Sequence, residues 1–144
     1  MNLETSISQQ GYRLSGARKK ILGILSASDQ PLSPAALFDK LKEQGETTGL
    51  VTVYRNLDLL ARLGLAERIY NDQGELGYLT CKSAHHHHHI LCEKCSNTVE
   101  FEAADELEEL IARVQAQTHY QIIGHLLQFI GLCPNCQADG VRKP

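Results

Sequence analysis

The segment CKSAHHHHHILCEKC, residues 81–95, places five consecutive histidines directly before a pair of cysteines. A histidine run of this length is typical of a purification tag, but a tag normally sits at a chain terminus and leads into a flexible linker. This run lies in mid-chain and continues through Ile90 and Leu91 into Cys92-x-x-Cys95. We therefore interpret the histidines as part of a site.

The cysteine spacing predicts one structural zinc ion held by four thiolates. Cys92-x-x-Cys95 is followed after 37 residues by Cys133-Pro-Asn-Cys136, and Cys81 stands outside both pairs. With no signal core and no run of ~18 apolar residues, the chain is expected to be soluble and cytoplasmic, where thiols stay reduced. Two CxxC pairs then supply the corners of a tetrahedral zinc site. A thioredoxin-like redox pair fits poorly, because neither CxxC opens a helix after a strand.

The charge is unevenly distributed along the chain. The net charge of the 144 residues is −3, yet residues 1–66 carry eight Lys or Arg against six Asp or Glu, and residues 67–144 carry six against eleven. This asymmetry indicates a basic end that meets a polyanion and an acidic end with another role.

Three short helices are predicted in the first half. The first follows the N-cap Ser15, and the second lies between the cap-and-proline pair Ser33-Pro34 and Gly45. The third reads LVTVYRNLDLLARLG, residues 50–64. Its apolar stripe, which should face the first two helices, comprises Leu50, Val53, Leu57 and Leu60.

A β-hairpin is predicted after the third helix, with its turn at residues 71–74 in RIYNDQGELGYLT. Three helices followed by such a hairpin indicate a winged helix-turn-helix, in which the third helix enters the DNA major groove. Tyr54 and Arg55 on its free face could then read bases. A plain helical bundle with a solvated face is the alternative.

The motif TVYRNLDLLARLGL, together with the histidine cluster, CEKC and CPNC, resembles the ferric uptake regulator family of metal-sensing transcription factors across nearly the whole chain. The resemblance implies an α+β protein, with a winged-helix DNA-binding domain over residues 1–80 and a small α/β dimerisation domain with a structural zinc over residues 81–144. It also implies a homodimer that binds double-stranded operator DNA containing an AT-rich inverted repeat.

The resemblance assigns DNA contacts to particular residues. The base-contacting pair of the family falls on Tyr54 and Arg55, and its minor-groove residue falls on Arg13. Arg18 and Lys19, with the neighbouring lysine, are then available for phosphates, a contribution that weakens steeply with salt.

The histidine run can serve two metal sites. Residues 85–89 lead directly into Ile90 and Leu91 and are expected to be extended. Successive side chains of an extended segment point to opposite faces. His85, His87 and His89 would share one face, and His86 and His88 the other.

The first of these sites is expected to sense metal through Glu67, Cys81, His87 and His89. In the iron and peroxide sensors that the chain resembles, the sensing site includes a histidine from the winged-helix domain, but residues 1–84 contain none. Cys81 also stands where those sensors hold a carboxylate. A thiolate with imidazoles and one carboxylate favours tetrahedral zinc, so the chain most resembles the zinc uptake regulator branch.

The second site is expected to combine His86, His88 and His125 with a carboxylate from the helix DELEELIARVQAQ. Glu106 and Glu108 compete for that role, and we favour Glu108. His125 lies in an apolar run, expected to be β-rich, where a core histidine is the alternative. The apolar face of the helix comprises Leu107, Leu110, Ile111 and Val114.

The patterns and the resemblance together predict a zinc-responsive transcriptional regulator with one structural and one or two regulatory Zn²⁺ ions per chain. Repression of zinc-uptake genes is what the resemblance implies, and activation from another operator position is the alternative. We expect neither a small-molecule substrate nor a membrane partner. The alternatives are an iron or peroxide sensor of the same family and a non-regulatory zinc-binding protein. An enzyme is not expected, because no water-activating metal site with a placed general base is visible.

Overall fold

The α+β fold predicted from the sequence is confirmed in a computed structural model, which describes residues 3–83 and 85–138. The helices are α1 (Leu3–Gln9), α2 (Gly16–Ser26), α3 (Pro34–Glu43), α4 (Leu50–Arg62), α5 (Ala104–Thr118) and α6 (Pro134–Ala138). The strands are β1 (Ala66–Tyr70), β2 (Leu76–Thr80), β3 (His88–Cys92), β4 (Thr98–Phe101) and β5 (Gln128–Gly131).

The three helices predicted in the first half are confirmed as α2, α3 and α4. The hydroxyl of Ser15 accepts a hydrogen bond from the backbone N–H of Arg18 and caps α2, and the hydroxyl of Ser33 caps α3 in the same way. Gly45 follows α3 with a φ of +76°, a conformation that glycine adopts without steric cost. Helix α1 was not predicted, yet its Ile7 is fully buried in the core of this half.

Helix α4 buries most of its predicted apolar stripe. Val53, Leu57 and Leu60 are fully buried against the other helices. The prediction is wrong for Leu50, which is 39% exposed because it lies in the first turn, at the edge of the packed face. Asn56 is buried on the same helix and donates to the carbonyl of Thr52.

The predicted hairpin is confirmed as the antiparallel pair β1–β2, with Ala66 opposite Thr80. Its turn is organised by Asn71, whose backbone carbonyl accepts from the N–H of Gly74 at 3.0 Å. The side chain of Asn71 also accepts from the backbone N–H groups of two turn residues, at 3.0 and 2.8 Å. These bonds fix the conformation of the turn at the end of the wing.

The second sheet has the strand order β4-β3-β5, in which β3 is antiparallel to β4 and parallel to β5. The apolar run before Cys133 was expected to be β-rich, but only β5 is a strand there, and residues 119–127 form no regular element. Ile123 is 94% exposed and Leu126 is 77% exposed. A strand needs a pairing partner, and the described part of this chain supplies none for these residues.

Gly77→Ala is expected to destabilise the protein. A Cβ at Gly77 would lie 2.7 Å from the Cβ of Pro31, where β2 passes the chain before α3. Overpacking of this kind costs about 1–3 kcal/mol of the free energy of unfolding, measurable by urea denaturation. Gly23→Ala is the matched control, because a Cβ there meets no atom within 4 Å and replaces a helical glycine. An equal effect of the two changes would contradict this packing.

Candidate metal centres

Four cysteines converge beside the second sheet. The sulfur atoms of Cys92, Cys95, Cys133 and Cys136 all lie within 4.8 Å of one another. Cys92 ends β3, and Cys133 follows β5 directly before α6, so two neighbouring strands deliver the two CxxC pairs to one point. The backbone N–H of Cys133 donates to the sulfur of Cys92 at 3.3 Å.

The electrostatics of this cluster suit a cation. The backbone N–H groups of Cys133 and Cys95 lower the pKa of the Cys92 thiol to about 6. The side chain of Cys133, followed by burial, raises the pKa of Cys136 to about 12. One thiolate therefore forms readily, but four adjacent thiolates need a positive ion between them. A structural Zn²⁺ has the charge and the preferred tetrahedral ligand set.

A second cluster brings together three of the four residues predicted to sense metal. The ligand atoms of Glu67, Cys81 and His87 lie within 4.8 Å of one another. Glu67 comes from β1, Cys81 follows β2, and His87 immediately precedes β3. His89 forms a separate group with His87 and Glu100, so His87 belongs to both groups.

Glu100 is a candidate ligand that the sequence analysis missed. Its Oε1 lies 3.6 Å from Nε2 of His87 and 3.9 Å from Nε2 of His89. It arrives there because β3 and β4 form a hairpin in which His89 pairs with Glu100. The sequence held a signal for it. A hairpin whose turn is Cys92-x-x-Cys95 places Glu100 of its second strand opposite His89 of its first.

Burial around these histidines leaves donor atoms that fit a metal. The Nε2 atoms of His87, His88 and His89 are buried and have no hydrogen-bond partner among the described residues. Unpaired buried polar atoms are costly, and a bound cation would satisfy them. Burial lowers the pKa of His88 and His89, which keeps their imidazoles in the neutral form that binds metal.

Cys81 lies in surroundings that disfavour a free thiolate. Burial first, and then the negative charges of Glu67 and Glu100, raise the pKa of the Cys81 thiol to about 12. A cation at this position would reverse both effects, since it would compensate the carboxylates and stabilise the thiolate. The donor set of one sulfur with imidazole and carboxylate groups therefore fits Zn²⁺.

A third cluster contains His86, His88 and His125, whose nitrogen atoms lie within 4.8 Å of one another. The ring centroids are 4.7 to 5.2 Å apart. Glu108 lies exposed on α5, and no carboxylate among the side chains that the structure describes joins this group. Glu106 is likewise exposed and outside it. Imidazoles alone thus define the third cluster.

The residues expected to contact DNA are exposed or partly exposed in the helical half. Tyr54 is 47% exposed and Arg55 is exposed, both on α4. The guanidinium of Arg18 donates to Oδ1 of Asn56 at 2.9 Å and also bonds the backbone carbonyl of Arg13. Arg18 therefore connects α4 to the segment that carries Arg13.

Lys19 is exposed, and its ammonium lies 3.6 Å from the carboxylate of Glu4. Lys20 forms an ion pair with Glu46. Both lysine side chains are largely exposed, so these pairs are weak and leave the lysines accessible to a competing phosphate. Among the described residues, no helix is long and apolar enough to span a membrane.

A winged helix followed by a small sheet with cysteine and histidine clusters is the arrangement of a metal-responsive DNA-binding protein. The model of the ferric uptake regulator family matches residues 9–130. The chain belongs to that family, whose members are transcriptional regulators and not enzymes.

Several relatives match almost the whole chain. A zinc uptake regulation protein of Mycobacterium tuberculosis is 35% identical over 132 residues, covering 92% of this chain and 100% of the relative. A ferric uptake regulation protein of Synechococcus elongatus is 30% identical over 138 residues, covering 94% and 93%. The family is therefore shown by relatives named for two different metals.

Solved structures agree in fold. The crystal structure of holo XcZur superposes with a TM-score of 0.79 at 27% identity, covering 94% of each chain. A zinc uptake regulator complexed with zinc and DNA gives a TM-score of 0.79 at 25% identity, covering 94% of this chain and 91% of that one. The Helicobacter pylori ferric uptake regulator gives 0.61 at 26% identity, covering 94% and 89%.

Proposed function

We propose that the chain is a zinc-responsive transcriptional regulator, a cytoplasmic repressor of zinc-uptake genes that binds an AT-rich inverted repeat as a zinc-loaded dimer. The observation that carries the proposal is the convergence of the Cys81 thiol with the Glu67 carboxylate and the His87 imidazole. Thiolate and imidazole ligands suit tetrahedral Zn²⁺, whereas Fe²⁺ and Mn²⁺ prefer sites with more oxygen. A relative named as a zinc uptake regulation protein supports the same metal.

The fourth ligand of the sensing zinc is proposed to be His89, with Glu67 as the carboxylate. Glu100 is the rival carboxylate, but its two oxygens accept the backbone N–H groups of Lys82 and Ser83 at 2.7 and 3.1 Å. These bonds take one lone pair of each oxygen and hold the carboxylate toward the backbone after β2, which favours Glu67 as the ligand. We therefore assign Glu100 to holding the segment after β2 in place and to balancing the charge of the ion.

Zinc at this site would tie two parts of the chain together. We place the domain boundary between residues 80 and 81, so Glu67 belongs to the winged helix, Cys81 to the hinge and His87 to the dimerisation domain. Zinc binding then selects one orientation of α4 relative to the dimer. By linkage, operator DNA must tighten zinc binding by the same factor. The superposition on a regulator complexed with zinc and DNA supports a DNA-competent arrangement.

The four-cysteine zinc is proposed to be permanent and structural, because it links the end of β3 to Cys133 and Cys136, which follow β5. The homodimer is proposed to form through the apolar surface of the C-terminal half. Exposed on that half are Val99, Leu110, Tyr120, Ile123, Leu126, Phe129 and Ile130. An apolar surface of this kind marks an interface between protein chains.

The three-histidine cluster is proposed to bind a second regulatory zinc. His88 contributes a buried Nε2 without a hydrogen-bond partner among the described residues, as expected of a ligand. A carboxylate would complete a tetrahedral set with His86, His88 and His125, and Glu108 remains our prediction for it.

An iron sensor is the second candidate, and one observation favours it. His87, His89 and Glu100 form a group of nitrogen and oxygen donors without sulfur. If the ion took Glu100 together with Glu67, the site would be rich enough in oxygen for Fe²⁺. The choice between the metals therefore depends on whether Cys81 is a ligand.

Arg55→Ala is expected to weaken operator binding by about 1–3 kcal/mol and to relax base preference, since Arg55 is exposed on the recognition helix α4. The measurement is fluorescence anisotropy of zinc-loaded protein with DNA from upstream of zinc-import genes, at fixed salt. Arg62→Ala is the matched control, because Arg62 is exposed at the far end of α4. Binding that is insensitive to Arg55→Ala, or no binding by wild type at any zinc level, would contradict the proposed function.

A further inference from the structure

The side-chain amide of Gln128 binds both backbone groups of Tyr70. The N–H of Tyr70 donates to Oε1 of Gln128 at 2.9 Å, and Nε2 of Gln128 donates to the carbonyl of Tyr70 at 2.6 Å. One amide thus pairs with the edge of β1 as a neighbouring strand would. All four polar groups belong to partly buried residues.

This amide pair joins the wing to the metal-binding sheet. Tyr70 ends β1, three residues after Glu67 of the second metal cluster. Gln128 begins β5, where it lies opposite His89 of β3 and three residues after His125. Between these attachments, Ile69 packs against Leu91. Strand β1 therefore meets the second sheet at both ends.

Two attachments constrain a strand in a way that one cannot. A metal ion held by Glu67 would fix one point of β1, about which the wing could still rotate. The Tyr70 backbone lies about 10 Å further along the extended strand, and a directional pair of hydrogen bonds there removes that rotation. The apolar contact between the two points is non-directional and does not set the angle by itself.

We infer that Gln128 is a positioning residue that converts zinc binding at the Glu67–Cys81–His87 cluster into a fixed orientation of the wing and of α4. The inference rests on the proposed zinc-dependent DNA binding and deepens it. Among the described residues the Gln128 amide bonds the backbone of Tyr70 and none of the proposed metal ligands. Its replacement should therefore change the coupling between zinc and DNA more than it changes zinc binding.

The test compares Gln128→Leu with wild type in the dimer of the whole 144-residue chain, with the four-cysteine zinc in place. We expect the ratio of DNA dissociation constants without and with zinc at the sensing site to shrink about tenfold, as loss of two neutral hydrogen bonds implies. Zinc affinity measured without DNA should change far less. Gln44→Leu is the matched control, because it makes the same change at a glutamine that is exposed where α3 ends, outside the metal clusters.

The outcomes separate the inference from the proposed function. If wild type shows no zinc-dependent DNA binding, the proposed function fails. Suppose that zinc strengthens DNA binding by wild type. If Gln128→Leu then keeps the full ratio, or raises both DNA dissociation constants by the same factor, the positioning role is overturned. Should Gln128→Leu fail to fold, Gln128→Asn keeps the amide but is one methylene too short to bind both groups of Tyr70. For Gln128→Asn we then expect the ratio of DNA dissociation constants without and with zinc to fall by the same factor.

Discussion

Replacing Cys81 with serine is expected to abolish the zinc-dependent gain in DNA affinity while the protein remains a folded dimer. Cys81 is buried beside Glu67 and His87, and a serine hydroxyl is nearly the same size but is a poor zinc ligand. Couplings of this kind are about 1–3 kcal/mol, so roughly a 5- to 150-fold gain should disappear. Anisotropy titrations with operator DNA across buffered free zinc measure this directly.

The control for this experiment is His85→Ala. His85 belongs to the same histidine run, but it is exposed and lies outside every metal cluster that the described residues form. Its removal should leave the zinc response unchanged. A Cys81→Ser protein that still gains the full affinity on adding zinc would show that the thiol is not a ligand of the sensing ion. The nitrogen and oxygen group around Glu100 would then be the better candidate.

Replacing Cys133 with serine is expected to have the largest effect on folding. Its sulfur lies in the four-cysteine cluster, 3.7 Å from the sulfur of Cys95. Structural zinc binding in small domains is worth about 10–16 kcal/mol and is coupled to folding. We expect the sheet β4-β3-β5 to lose cooperative structure, and the dimer to be lost with it.

Native mass spectrometry, circular dichroism and thermal unfolding together measure this effect. Cys81→Ser is the matched control, since it makes the same chemical change at a thiol outside the four-cysteine cluster and should keep the dimer and one permanently bound zinc. A Cys133→Ser dimer that unfolds at the wild-type temperature with wild-type metal content would refute the structural role of this zinc.

Local signals in the sequence predicted the helical half well. The cap of Ser33, the proline that follows it and the glycine at position 45 are all decided within a few residues, and α3 begins and ends where they indicate. Helix α1 lacks such signals, and its Ile7 is buried only because α2 and α4 provide a core to receive it. Leu50 fits the helical period, but its exposure depends on where α4 begins relative to the neighbouring helices.

The histidine clusters were predictable in part, because alternation along an extended chain is a local property. His86 and His88 do lie in one group, and His87 and His89 in another. Glu100 was missed because its position depends on the register between β3 and β4, which no local pattern fixed. Helical period predicted an apolar face on α5, but Leu110 of that face is 49% exposed. The period also could not fix the distance of Glu108 from the histidines.

Zinc bound through Cys81 is proposed to switch on DNA binding. The most direct test titrates wild-type protein and operator DNA against buffered free Zn²⁺ and, separately and without oxygen, against Fe²⁺. We predict that DNA affinity rises with Zn²⁺ and that Fe²⁺ produces no comparable rise. An equal or larger response to Fe²⁺, or DNA binding that is the same at every zinc level, would contradict the claim.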